Sequence, residues 1–361
     1  MRDTLKYKKS KGKSKVNAFL THFLQQIQDA IKLPVKYVES TDPVDHPPIL
    51  NFVSEHIQTW CKNADNWLKT LHYKFHIHGV PIQIHIYVPH NTQIKPDIEK
   101  MLHYIQMWFY MALFQTETHC KKEFRVFLYL TPFEKTLPDK GSIIDKENVN
   151  TGFTAPCQTN VPHEDIVIFR WQEWFKVLIH ESFHLLGMDD ALNKGWDTVL
   201  SRFIEQHVPN KGNKMKVEGI FEAYTETWAE IIHLLFRTHD ESKHASLSYF
   251  RRILKEEQMF SAGQRKKIEN VVKKGGLDYN KDLKLHSYYV LKQILIENMD
   301  DFIYFCIQVN GQATPLRKNR DAKQQNMTFW RKTLKKSTSN NIQHNTGQGT
   351  SMRMTYRDLR F

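Results

Sequence analysis

Two histidines four residues apart, with a glutamate directly after the first, are the residues of this sequence best suited to chemistry. They are His180, Glu181 and His184, in the segment VLIHESFHLLG. Positions i and i+4 share one face of a helix, so both imidazoles can bind one metal ion while Glu181 can accept a proton from water. The neighbouring residues are uncharged, as a buried helix requires. The spacing predicts a catalytic Zn²⁺ site with two histidine ligands and Glu181 as general base.

A tetrahedral catalytic zinc also needs a third protein ligand and one open position. The segment FEAYTETWAE carries Glu222, Glu226 and Glu230 at i, i+4 and i+8, which is one face of a helix. Three stacked carboxylates repel one another unless a cation or a partner lies beside them. One of these three glutamates is therefore a candidate for the third ligand.

These segments resemble the zincin metallopeptidases. Gluzincins take their third ligand from a helix of pattern Glu-x-x-(small)-Asp/Glu, which Glu226-Thr-Trp-Ala-Glu230 matches and Glu222-Ala-Tyr-Thr-Glu226 matches nearly as well. The resemblance implies that Glu226 is the ligand and that Glu230 orients a ligating histidine, with Glu222, one turn earlier, as an alternative ligand. Metzincins use a residue after a glycine turn, here Asp190, and a methionine below the metal, for which Met215 is the candidate. Met215 lies in a polar loop, so the gluzincin interpretation is favoured.

The gluzincin resemblance also implies a tyrosine or histidine that stabilises the developing oxyanion. His286 and Tyr288, at the start of a predicted helix, are the candidates, and core packing with a helix cap is the alternative role. Residues 149–236 further resemble uncharacterised metallopeptidases of large DNA viruses. That resemblance implies a location in the cytoplasm of a host cell or in a virion.

Composition excludes several other classes. The chain has 361 residues, of which 40% are hydrophobic, so it can bury a large core and is not disordered throughout. It has no apolar run long enough to span a membrane and no apolar segment behind its basic start, so we expect neither a membrane span nor a secretory signal. Its four cysteines are far apart without a CxxC pair, which favours reduced structural thiols over a disulfide framework.

Charge is concentrated at the two ends of the chain. The net charge is +12, whereas residues 1–16 alone carry seven Lys/Arg against one acidic residue, and residues 316–361 carry eleven against two. These segments are polar enough to predict basic, disordered arms. Such arms can bind nucleic acid through its phosphates or can simply keep the protein in solution. Both interpretations stay open, although Met352–Phe361 is aromatic enough to dock on a folded domain.

The periodicity of apolar residues predicts helices near both ends and strands between them. Helices are expected over 16–32, 50–71, 98–113, 171–186 and 221–236, with more up to residue 305, a hairpin around Gly79, and strands at 124–130 and 165–169. This order predicts an α+β fold, a small mixed sheet packed on the metal helix and then a helical subdomain. The expected segments are a basic arm (1–16), an α+β subdomain (17–187), a helical subdomain (188–315) and a basic tail (316–361).

These observations favour a zinc-dependent metallopeptidase whose substrate is a protein or peptide. An extended peptide could add as a strand along residues 150–154 or 165–169. One alternative is a nucleic-acid-associated or virion protein with an inactive zincin domain, and another is a protease tethered to DNA by its arms. The presence of Glu181 beside both histidines favours activity. The histidines of the hairpin, His76, His78 and His85, are expected to be solvent-exposed.

Overall fold

A computed structural model describes most of the chain. The described residues are 2–32, 37–39, 46–90, 93–116, 120–139, 142–157, 161–189, 194–207, 219–242, 246–273, 278–279, 284–311, 315–319, 322–337 and 349–361. They form two compact units. The sheet unit comprises residues 30–188, 275–283 and 349–361, and the helical unit comprises residues 1–29, 189–274 and 284–348. Within the described ranges, no helix is long and apolar enough to cross a membrane.

The sheet unit is built on a six-stranded mixed sheet in the order β1-β2-β3-β4-β7-β6. The β1–β2, β2–β3 and β6–β7 pairs are antiparallel, and the β3–β4 and β4–β7 pairs are parallel. The short strands β5 and β8 pair separately. The strands are β1 (Val38–Glu39), β2 (Trp67–Ile77), β3 (Val80–Pro89), β4 (Glu123–Tyr129), β5 (Ile143–Ile144), β6 (Gly152–Thr154), β7 (His163–Ile168) and β8 (Asp278–Tyr279).

Four helices belong to the described part of the sheet unit, and one of them carries the HExxH segment. They are α2 (Glu55–Lys62), α3 (Ile98–Ala112), α4 (Lys146–Val149) and α5 (Trp174–Leu185). Helix α5 packs on β6 and β7. Helix α3 stacks Trp108 on Phe183 of α5 and Phe109 on Phe124 of β4. On the opposite face of the sheet, Phe127 of β4 and Val167 of β7 form an apolar cluster with residues that include Leu50, from the 3-10 turn Pro48–Phe52.

Most of the helical unit follows the sheet in the chain, whereas its first helix precedes the sheet. Its helices are α1 (Arg2–Ala30, whose last residue belongs to the sheet unit), α6 (Lys194–His207), α7 (Ile220–Glu241), α8 (Leu247–Lys273), α9 (Lys292–Glu297), α10 (Met299–Val309) and α11 (Lys323–Ser337), with a π-helical turn at Ser287–Leu291. Helix α7 packs against α8, α9 and the π-helical turn. The mixed sheet, the His-x3-His helix after it and this helical part confirm the α+β fold predicted from the sequence.

The expected helix over residues 50–71 is wrong. That stretch contains the turn Pro48–Phe52, helix α2, a second turn at Ala64–Asn66 and the start of β2. The side chain of Asn63 accepts a hydrogen bond from the backbone of Asp65 and so stabilises the break between α2 and β2. The apolar residues of the stretch suited a helix by spacing, but these caps and turns divide it.

The hairpin forms as expected, with Gly79 in its turn at a positive φ of 78°. The histidine prediction fails for His85. This side chain is buried, stacks on Phe127 and lies opposite His72 across the β2–β3 pair. Burial, with the positive charges of His72, Arg125 and Lys74, lowers the pKa of His85 to about 3. His76 and His78 are exposed, as expected.

Both basic ends of the chain contain ordered elements where disordered arms were expected. Helix α1 begins at Arg2, and it includes the basic residues up to Val16. Extending an existing helix is cheap once later turns are anchored, here by buried Leu20 and Ile27, and lysine is a good helix former. In the tail, residues 323–337 form α11, and residues 349–361 pack on the sheet unit.

The prediction of reduced cysteines is wrong for one pair, because Cys120 and Cys157 form a disulfide. Cys120 precedes β4 and Cys157 follows β6, the two strands on either side of β7. Because β6 runs antiparallel to β7 whereas β4 runs parallel to it, the start of β4 and the end of β6 lie at the same end of the strands, and so do both cysteines. Cys61 and Cys306 are free and buried.

Candidate metal centre

Helix α5 is buried, but the HExxH residues on one of its faces, which we call the HExxH stripe, retain slight solvent exposure. All its residues from Trp174 to Leu185 are buried. His180, Glu181 and His184 are nevertheless 6%, 8% and 7% exposed, whereas Ile179 and Phe183 are fully enclosed. The spacing explains this pattern, since His180 and Glu181 lie four and three residues before His184 and therefore one helical turn away from it. The histidines and Glu181 therefore share the part of the helix surface that retains slight contact with solvent.

The carboxyl end of α5 is held directly behind His184. Gly187 has a positive φ of 64°, and its N–H donates to the carbonyl of His184 while the N–H of Met188 donates to the carbonyl of Phe183. This is a Schellman arrangement, in which glycine takes the left-handed position. The N–H of Cys157 donates to the same His184 carbonyl at 3.3 Å. The disulfide loop thus contacts the helix at a candidate ligand.

The amino end of α5 is held by a buried glutamate that the sequence analysis did not identify. Glu173 precedes the helix, pairs with the ammonium of Lys135, and accepts hydrogen bonds at Oε1 from the backbone N–H groups of Met354 and Thr355. Although burial opposes ionisation, Lys135 and Lys176 lower the pKa of Glu173 to about 2. Because Met354 and Thr355 belong to the segment 349–361, these hydrogen bonds connect that segment to the start of α5.

Edge strand β6 lies close against Glu181. A Cβ atom on Gly152 would come within 2.7 Å of a methyl of Val177 and 3.1 Å of Cγ of Glu181, so any residue other than glycine would require these side chains to shift. Along one edge, β6 pairs with β7 through residues 152–154. Since β6 ends the strand order among the described residues, the general-base candidate lies beside an edge of the sheet.

Helix α7 supplies the carboxylates, and it is buried over most of its length. Glu222 lies in its first turn, and its backbone N–H donates to Gly219, the residue before the helix. The positive end of the helix dipole favours an ionised carboxylate at this position. Glu222 is 7% exposed, whereas Glu226 and Glu230, one and two turns further on, are 1% and 0% exposed.

His180, His184 and Glu222 form a buried group that can hold a metal ion. Each offers one ligand atom, and these atoms all lie within 4.8 Å of one another. The Nε2 atoms of the two histidines are 3.1 Å apart. Two nitrogens bound to one tetrahedral zinc at ordinary bond lengths are separated by about 3.3 Å. Two imidazoles and a carboxylate also form a known catalytic zinc set, so the residues present fit an HExxH-type metal site.

The carboxylate in this group is the alternative candidate, Glu222, and the preferred ligand Glu226 is not part of it. The physical reason lies further along the same helix face, where the ammonium of Lys292 is buried. It donates to Glu230 at 3.0 Å and to Glu257 at 3.1 Å, and it interacts electrostatically with Glu226. Burial alone would lower the pKa of Lys292, but the carboxylates outweigh it and raise the pKa above its ordinary value.

Glu230, expected to orient a ligating histidine, thus accepts a hydrogen bond from Lys292. Ser261 completes this buried cluster by accepting from the same ammonium at 2.9 Å. The cation needed to stabilise the stacked carboxylates is therefore a lysine at their inner end. The sequence offered no direct signal for this partner, which lies in the first turn of α9.

Other predicted residues are placed as follows. Asp190 and Met215, the metzincin candidates, lie outside the described residues. Tyr288 lies in the π-helical turn that packs against α7, His286 directly precedes that turn, and both are half-buried. Asp189 was not predicted. It is buried and accepts a hydrogen bond of 2.9 Å from the hydroxyl of Thr225, one turn after Glu222.

Comparison with known proteins yields no matching family model, no matching curated protein and no matching solved structure. Arguments about function therefore come from the metal-ligand geometry and from the residues around it.

Proposed function

We propose that this protein is a zinc-dependent metallopeptidase. The observation that carries the proposal is the group of His180, His184 and Glu222, with Glu181 on the same solvent-touching stripe as the histidines. A ligand set of two imidazoles and one carboxylate suits zinc and leaves a fourth position open. It is the gluzincin arrangement with the third ligand one turn earlier than Glu226.

Glu181 is the proposed general base. When bound, zinc supplies a Lewis acid that lowers the pKa of water and polarises a peptide carbonyl. The Glu181 carboxylate would take the proton from the attacking water and return it to the leaving amine, so that one residue acts first as base and then as acid. Its contact with Gly152 supports this role, because the side chain is held on one side by the strand.

Strand β6 is the proposed binding edge for an extended peptide. A substrate that adds beside residues 152–154 would form backbone hydrogen bonds independent of its side chains. Its scissile bond would then lie near Glu181, which contacts that strand. Tyr288 and His286 remain the proposed donors to the developing oxyanion. Tyr288→Phe tests this role, because loss of a donor should lower kcat with little change in KM.

The decisive experiment compares Glu181→Gln with the wild type in hydrolysis of an unfolded protein and of a fluorescence-quenched peptide library. We expect the variant to keep its zinc and fold but to lose hydrolysis by at least about a hundredfold, since general-base catalysis contributes on this scale. The matched control is Glu256→Gln, the same change on a partly exposed position of α8, which should retain activity.

Activity of Glu181→Gln within a few-fold of wild type would contradict the proposed base. A zinc-loaded wild type that hydrolyses none of these substrates would instead favour the alternative, a protein whose zincin-like domain is inactive.

A further inference from the structure

Helix α11 presents a cationic face that is free of acidic side chains. Its sequence, KQQNMTFWRKTLKKS, has five Lys/Arg and no Asp or Glu. The aromatic and apolar residues Phe329, Trp330 and Leu334 are buried. The exposed positions repeat every three or four residues along the opposite side, and over the last two turns they are Arg331, Lys332, Lys335 and Lys336. We call these four residues the α11 cationic face.

Helix α10 lies beside α11 and also beside a second basic segment, the first half of α1. Lys336 forms an ion pair with Asp301 of α10, and Lys332 lies 3.9 Å from the same carboxylate. One turn further along α10, the ring of Tyr304 lies 3.7 Å from the position that a Cβ on Gly12 of α1 would take. Lys13 and Lys15, next in α1, are exposed. Basic segments from opposite ends of the sequence thus flank one helix.

Two carboxylates at the start of α10 form ion pairs with cations of this region. Asp301 serves both Lys332 and Lys336, and its neighbour Asp300 forms a 2.6 Å ion pair with Arg251 of α8. Helix α11 itself carries five Lys/Arg and no Asp or Glu, so the charge of the helix is strongly positive. Exposed cations spaced by a helical turn can follow a row of phosphates, each contact releasing condensed counterions from a nucleic acid.

The burial pattern of α11 distinguishes between polyanionic partners. Binding to single strands relies on exposed aromatic rings that stack on bases, but Phe329 and Trp330 are packed inside. Insertion into a membrane surface needs a free apolar face, and the apolar face of α11 is packed in the same way. We propose that the α11 cationic face binds the phosphate backbone of duplex nucleic acid without reading its sequence.

The test is fluorescence anisotropy of a labelled DNA duplex of about 20 base pairs, titrated with full-length protein over a range of KCl concentrations. The variant changes Arg331, Lys332, Lys335 and Lys336 to Gln. We expect its affinity to fall at least tenfold at about 0.1 M salt, and the slope of log K against log salt to decrease by about 3. Because all four positions are exposed, the circular dichroism spectrum should not change.

The matched control changes four exposed lysines of the sheet unit, Lys62, Lys69, Lys95 and Lys121, to Gln and so removes the same charge. It should retain most of the affinity and the salt slope. Equal losses in both variants, or a wild type that does not bind the duplex at low salt, would overturn the proposal. So would tighter binding to the single strand, or to vesicles of phosphatidylserine and phosphatidylcholine, than to the duplex.

Discussion

Helices α5 and α7 supply the candidate ligands and are both buried, but they are stabilised by different means. Helix α5 is held at its ends, by the pair of Glu173 with Lys135 before its first turn and by the disulfide loop behind His184. Helix α7 is held from its middle, where Lys292 bonds Glu230 and Glu257. Between the ends of α5, most of the polar residues belong to the HExxH stripe. In α7, by contrast, the face that carries Glu222, Glu226 and Glu230 is polar over three successive turns.

The difference teaches how one carboxylate of three becomes a ligand candidate. Glu230 is enclosed and bonded to a lysine, whereas Glu222 lies at the helix start, retains contact with solvent and lies with two histidines. A carboxylate bonded to a buried ammonium contributes to stability, and removing its partner leaves a buried charge uncompensated. The same residue type thus has two roles on one helix, according to burial and partner.

The largest expected effect is the loss of the α7 cluster. Lys292→Met should lower the free energy of unfolding by about 3 to 5 kcal/mol, because two buried carboxylates would remain without their cation. Urea denaturation followed by circular dichroism measures this change. Adding Glu230→Gln and Glu257→Gln to the variant should restore part of the loss. A cost below about 1 kcal/mol for Lys292→Met would show that this cluster does not stabilise α7.

The disulfide beside α5 should have the next largest effect. It closes a loop with a sequence separation of 37 residues. In the chain-entropy model, a loop of this length corresponds to about 3 to 4 kcal/mol of stability. The double variant Cys120→Ser/Cys157→Ser should therefore unfold at lower urea concentration, whereas Cys61→Ala, at a buried free cysteine, should keep the disulfide. Alkylation of all four cysteines in the unreduced, unfolded wild type would contradict the assignment.

Acid should weaken the anchor of α5 by a smaller amount. The pKa of Glu173 is about 2 in the folded protein, below its ordinary value of 4.5. The stabilisation is complete above pH 4.5 and is lost as the pH falls toward 2, because the unfolded chain takes up the proton first. The expected loss is about 2 to 3 kcal/mol.

Urea denaturation at a series of pH values measures this loss, with Glu173→Gln as the reference that lacks the titrating group. The wild type should lose more stability than this variant between pH 4.5 and 2. Parallel pH profiles for the two proteins would contradict the assigned ionisation of Glu173.

The position of the HExxH residues on one helix face was predictable from the sequence, because His180 and Glu181 lie four and three residues before His184, within one helical turn of it. The choice between Glu222 and Glu226 was not, since residues four apart on a helix are equivalent in periodicity. What separates them is Lys292, about seventy residues later in the chain and brought beside α7 by the fold. No local pattern contains that contact.

The other errors also come from tertiary structure. The disulfide depends on the opposite directions of β4 and β6 relative to β7, which cysteine spacing does not reveal. His85 alternates with apolar residues as an exposed position would, but it stacks on Phe127 and is covered. In the tail, net charge suggested disorder, although Phe329, Trp330 and Leu334 have the spacing of a buried helix face.

The central claim is that His180, His184 and Glu222 hold one metal ion, and metal content tests it most directly. Zinc should be measured by elemental mass spectrometry in the purified wild type and in His184→Ala, Glu222→Ala and Glu226→Ala. We expect about one equivalent of zinc in the wild type, its loss in the first two variants, and its retention in Glu226→Ala. Retention by His184→Ala and Glu222→Ala, or loss only in Glu226→Ala, would contradict the assigned ligands.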